Sequence, residues 1–132
     1  MKVAIIGAGN MGGAIARGLA QGTIIPASDV TVADPFSGNL ETLQADYPEI
    51  RVTTENPKAI EDADIVILTL GGKHGTCSMA SMGEGVDATN INLPECQDAF
   101  IRKAAKLGKP LIGVHFDGRP ISSDAADAHL DA

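Results

Sequence analysis

Five short apolar runs are spaced along the chain. They are Val3-Ala-Ile-Ile6, Val30-Thr-Val-Ala33, the weaker Arg51-Val-Thr-Thr54, Ile65-Val-Ile-Leu-Thr-Leu70 and Leu111-Ile-Gly-Val-His-Phe116. Runs of this length that are apolar on both faces predict parallel strands buried from both sides. Between them, apolar positions recur at helical spacing. Met11, Ala14, Ile15, Gly18 and Leu19 form one face over residues 10–21, with Gly22 as the stop. Leu40, Leu43 and Tyr47 form another before Pro48, and Ala59, Ile60 and Ala63 follow Pro57. Phe100, Ile101, Ala104 and Ala105 form a stripe between Pro94 and Gly108, and Ser123 is placed to cap a last helix ending near Leu130. Strands alternating with helices predict a single α/β domain over 1–132. The expected architecture is a three-layer sandwich around a five-stranded parallel sheet of order 3-2-1-4-5. The strand at 111–116 then stands at an open edge, where a second copy could pair to make a homodimer.

The first strand runs into Gly7-Ala8-Gly9-Asn10-Met11-Gly12. A GxGxxG run alone is a weak signal, but a strand before it and a helix after it give it a mechanism. Gly7 permits the tight turn, Gly9 lets the backbone approach a pyrophosphate, and Gly12 allows helix and strand to pack closely. Asn10 and Met11 open the helix, whose free amides and dipole favour phosphate. Asp34 ends the second strand, where an acidic residue bonds a ribose 2′-hydroxyl and repels a 2′-phosphate. The expected fold is therefore Rossmann/flavodoxin-like. The expected cofactor site is Gly7, Gly9, Asn10, Met11, Gly12 and Asp34, taking NAD or NADP, with NAD favoured by Asp34.

Beyond Leu70 the texture changes. Residues 71–92 carry Gly71, Gly72, Gly75, Gly83 and Gly85 without periodicity, as expected of a functional or mobile loop. His74 and Cys77 in that loop have no third ligand or orienting acid, so neither metal nor nucleophile chemistry is expected of them. His115, alternating along an apolar strand, reads as a satisfied core histidine, and Arg119 before Pro120 as a turn contact.

Charge and composition narrow the partners. A net charge of −7 disfavours nucleic acid and anionic membranes. No apolar run of about 18 residues is present, and the opening Met-Lys-Val-Ala-Ile-Ile lacks the pattern of a cleavable signal. Cys77 and Cys96 have no metal-ligand spacing and read as free thiols of a cytoplasmic protein.

Two resemblances follow. Residues 1–70, through Met1–Leu19 and Asp62-Ala-Asp-Ile-Val-Ile-Leu68, resemble the N-terminal domain of pyrroline-5-carboxylate reductase. That likeness implies a nicotinamide cofactor and, in the whole family, a helical domain that supplies the dimer and most of the substrate pocket. Here Leu70 is followed by Gly-Gly-Lys-His-Gly where the family has a Lys-Pro turn. Asp34-Pro35 also departs from the Asn/Arg character of many NADP-using members. Residues 71–132 resemble the C-terminal α/β sandwich domain of family 3 glycoside hydrolases. The motifs are Gly83-Glu-Gly-Val-Asp87, Asn92-Leu-Pro-Glu-Cys-Gln97, Gly108-Lys-Pro-Leu-Ile112 and Asp117-Gly-Arg-Pro120. In that family a separate barrel carries the nucleophile, and Glu84 lies nearest the sandwich domain's acid/base motif. Without a second carboxyl at a fixed separation, Glu84 and Asp87 read as a solvated acidic loop. A join inside one sheet implies an engineered chimera without catalytic activity that retains dinucleotide binding at the glycine turn. Two alternatives stay open: an NAD(P)-dependent reductase of the pyrroline-5-carboxylate reductase type, and a carbohydrate-active fragment of a family 3 glycoside hydrolase.

Overall fold

A computed structural model describes residues 1–71, 91–117 and 120–132. The five strands are β1 (Val3–Ile6), β2 (Val30–Ala33), β3 (Arg51–Thr53), β4 (Ile65–Leu70) and β5 (Leu111–His115). They form one parallel sheet of order β3-β2-β1-β4-β5, as the alternation of elements predicts. The helices are α1 (Asn10–Ala20), α2 (Ser37–Asp46), α3 (Asn56–Glu61), α4 (Glu95–Ala105) and α5 (Asp124–His129).

Side chains alternate across the sheet and sort the core into two layers. Val3 and Ile5 of β1 and Val30 and Val32 of β2 pack with Ala16 and Ala20 of α1 and Leu40 and Leu43 of α2. Ala4 and Ile6 face the other way, joining Val66 and Leu68 of β4, Ile60 of α3, Ile101 and Ala104 of α4, and Ala125 of α5. This second layer draws on both halves of the chain, so the two halves share one continuous core.

The face α1 buries differs from the expected stripe. Gly12, Gly13, Ala16 and Ala20 are buried, Ile15 and Leu19 only partly, and Met11, Ala14 and Gly18 are exposed. The cause is proximity: a Cβ on Gly12 would overlap the Gly7 carbonyl. Small residues therefore line the contact, and the bulkier apolar ones flank it. α4 buries Ile101 and Ala104 with Phe100 and Ala105 packed beside them, as the periodicity predicts. Ser123 caps α5, its hydroxyl accepting from the Ala126 amide at 2.9 Å and donating to Asp98 of α4 at 2.6 Å.

The outer edge of β5 is not open along its whole length. The Asp131 amide donates to the Leu111 carbonyl at 2.8 Å, and the Leu111 amide donates to Asp131 Oδ2 at 2.9 Å. The Gly113 amide donates to the Ala132 carbonyl at 2.8 Å. Residues 131 and 132 thus occupy part of the edge that the strand pattern leaves free, alongside Leu111 and Gly113. His115 itself is exposed, which corrects its reading as a core histidine. It lies at the last paired position of β5, opposite Leu70.

Candidate functional site: the glycine turn

At the carboxyl end of β1, the Gly7 amide donates to the Ala33 carbonyl of β2 at 2.8 Å, and Gly7 adopts a φ of 102°. That conformation and the space below both demand glycine, because a Cβ there would overlap the Thr69 hydroxyl of β4. Thr69 Oγ1 in turn donates to the Ile6 carbonyl at 2.8 Å, so β4 supports the turn from beneath.

Gly9 is the N-cap of α1, with no side-chain cap, and a Cβ built on it meets nothing within 4 Å. The first bond of the helix runs from the Gly13 amide to the Gly9 carbonyl at 2.7 Å. The amides of Asn10, Met11 and Gly12 precede it and have no helical acceptor, and no acid occupies the first turn. Gly9, Asn10 and Met11 are exposed, whereas Gly12 is buried. The result is an open, uncapped helix start of the kind that binds anions.

Asp34 comes into the same site with an unexpected orientation. It is only 7% exposed, the one polar or charged side chain in the core among the described residues. Its Oδ2 accepts from the Ala8 amide at 2.6 Å and its Oδ1 from the Phe36 amide at 2.8 Å. The sequence pattern assigns this carboxylate to a ribose hydroxyl. In the structure both oxygens tie the turn after β1 to the start of α2. The side chain is short and its two neighbouring amides need acceptors, a demand no linear motif displays.

At the same carboxyl end of the sheet, Gln97 of α4 fastens the residue after β4. Its Oε1 accepts from the Gly71 amide at 3.0 Å and its Nε2 donates to the Gly71 carbonyl at 2.8 Å. Sequence reading singled out Gln97 only as part of a motif, and its amide paired with backbone is the signal that was missed. His74, Cys77, Glu84, Asp87 and Arg119 lie outside the described residues. Cys96 is an exposed free thiol. Among the described residues, no group of three His, Cys, Asp or Glu is arranged to hold a metal ion. No helix among them is long and apolar enough to cross a membrane.

A family model for the glycosyl hydrolase family 3 C-terminal domain matches residues 1–132. The chain belongs to that family. The match runs through residues 1–70 as well as the later stretch that carries the four motifs. A beta-xylosidase of Formosa agariphila is 38% identical over 64 residues, covering 48% of this chain and 8% of the xylosidase. A periplasmic beta-glucosidase of Salmonella typhimurium is 33% identical over 78 residues, 59% of this chain and 10% of the glucosidase. A pyrroline-5-carboxylate reductase of Methanosarcina acetivorans is 35% identical over 69 residues, 52% of this chain and 25% of the reductase. The chain thus spans about a tenth of the glycosidases' length and a quarter of the reductase's.

Solved structures agree on the fold. A pyrroline-5-carboxylate reductase from Coxiella burnetii superposes with a TM-score of 0.61 at 15% identity, over 86% of this chain and 35% of that one. The Plasmodium falciparum enzyme with NADP bound gives a TM-score of 0.57 at 17% identity, over 87% and 33%. The Rossmann-like α/β fold is common to all three.

Proposed function

We propose that this chain binds a dinucleotide at the turn formed by Gly7, Gly9, Asn10, Met11 and Gly12, and that it does so without catalysing a reaction on its own. The observation that carries the reading is the uncapped start of α1 at Gly9, open to a ligand on one side and held on the other by Thr69 and Asp34. A pyrophosphate placed there meets three unpaired amides and the positive end of an 11-residue helix. The chain spans a quarter of the matched reductase and a tenth of the matched glycosidases, and the activities of those longer proteins are not assigned to it. We also read the chain as an engineered join of two α/β ancestries near β4. The mixed resemblance, to a reductase and to glycosidases, is consistent with that reading.

Thermal unfolding followed by circular dichroism, alone and with about 1 mM NAD⁺, NADH, NADP⁺ or NADPH, tests the binding. A ligand at 100 times its dissociation constant adds about 2.7 kcal/mol, which moves the midpoint of a domain this size by several degrees. A shift that Gly9→Val abolishes supports the proposal, and an unmoved transition with all four refutes it.

The family match over 1–132 favours a second reading, a sandwich domain that serves a separate carbohydrate-cleaving barrel. It predicts no dinucleotide shift but stabilisation by xylose or glucose in the same assay.

A further inference from the structure

A cleft of about 170 Å³ opens beside the glycine turn, between α1 and α2. Gly9 and Gly13 form its backbone wall, and Asn10, Arg17, Asn39 and Thr42 supply its polar side chains. Among the described residues no acidic one lines it, although the chain carries 17 Asp and Glu against 10 Lys and Arg. Arg17 folds back along α1 toward the helix start. Its Nη1 lies 3.0 Å from where a Cβ on Gly13 would stand, so the bare Gly13 leaves room for the guanidinium. Among the described residues no carboxylate pairs with Arg17, since the ion pairs there involve Met1, Arg51 and Lys58.

We propose that this cleft receives a phosphate monoester on the adenosine half of the dinucleotide, so that a 2′-phosphorylated ligand is preferred to its unphosphorylated counterpart. The inference rests on the dinucleotide reading above and adds the ligand's phosphorylation state. An arginine is suited to the task, because its planar fork donates two hydrogen bonds to one phosphate and stays charged. Asn39 adds an amide donor and Thr42 a hydroxyl from the facing helix. The nearby acidic residue, Asp34, is buried and does not line the cleft, and its oxygens accept from the Ala8 and Phe36 amides. Arg17, one helical turn beyond Gly13 on α1, is a cation lining the cleft.

Isothermal titration calorimetry of the intact chain with NADP⁺ and with NAD⁺ tests this. A charge-assisted pair is worth roughly ten- to a hundredfold in affinity, so NADP⁺ is expected to bind tighter by that factor. Arg17→Ala should bring the two affinities together, and Arg17→Lys should restore part of the gap. Gly13→Ala, which crowds the guanidinium without removing its charge, should narrow the gap as well. Equal affinities in the parent chain, or a preference for NADP⁺ that survives Arg17→Ala, overturns this inference while leaving dinucleotide binding intact. Binding of neither ligand overturns the underlying reading and this inference together.

Discussion

The buried carboxylate of Asp34 accepts the Ala8 amide at 2.6 Å, joining residues at the ends of two adjacent strands. With its other oxygen on the Phe36 amide, Asp34 braces the turn after β1 against the start of α2. Asp34→Ala should leave two amides without their acceptor and cost about 1–3 kcal/mol each. A fall in melting temperature of more than 5 °C is roughly what that predicts for a domain of this size. A variant that melts with the parent would remove the brace from the account of the site.

The glycines of the turn separate into two kinds. Gly9 faces open space, so Gly9→Val should leave the unfolding midpoint within about 2 °C while abolishing dinucleotide-dependent stabilisation. Gly12 faces the Gly7 carbonyl, so Gly12→Ala should cost about 1–3 kcal/mol or more before any ligand is added. Paired melting curves with and without NADP⁺ read both effects, and identical behaviour of the two variants would refute the distinction.

Gln97 satisfies both backbone groups of Gly71 at the end of β4. Gln97→Ala should lose about 1–3 kcal/mol, since the Gly71 groups are then left part-buried and unpaired. Gln97→Glu, which keeps the acceptor but loses the donor, should fall between the alanine variant and the parent. Urea denaturation midpoints rank the three, and any other order contradicts the pairing.

The edge of β5 is held by Asp131 and Ala132, with Leu130 packed over Gly113. Deleting residues 130–132 should expose the Leu111 and Gly113 backbone and promote edge-to-edge pairing. Sedimentation velocity should then show concentration-dependent dimers that are absent from, or weaker in, the intact chain. Equal dimerisation of both would place any self-association elsewhere.

Much of this fold is legible in the residues. The strands Val3–Ile6, Val30–Ala33 and Ile65–Leu70 coincide with the predominantly apolar runs, and their order follows from short right-handed crossovers. What sequence hides is contact made by absence or across distance. Hydrophobic periodicity weights large residues, so it overlooks that α1 approaches the sheet through Gly12, Gly13 and Ala16. Asp34 has the right type and position for a ribose ligand, and only the placement of the Ala8 and Phe36 amides shows what it holds. The cover on β5 lies some 20 residues along the chain from the strand it protects, beyond the reach of any local pattern.

Thr69 lies under Gly7 yet comes from β4, more than 60 residues downstream of the turn it supports. Its place in the chain has a practical consequence for recombining such sheets. A crossover after Leu70 carries the threonine along with the glycine turn, so both travel as inherited cargo from one parent. A crossover just upstream of it would hand the turn a foreign floor, and a larger residue there would press against Gly7. The boundary of the piece that carries the glycine turn intact is therefore set by one hydroxyl in the fourth strand and not by the helix that ends at Ala20.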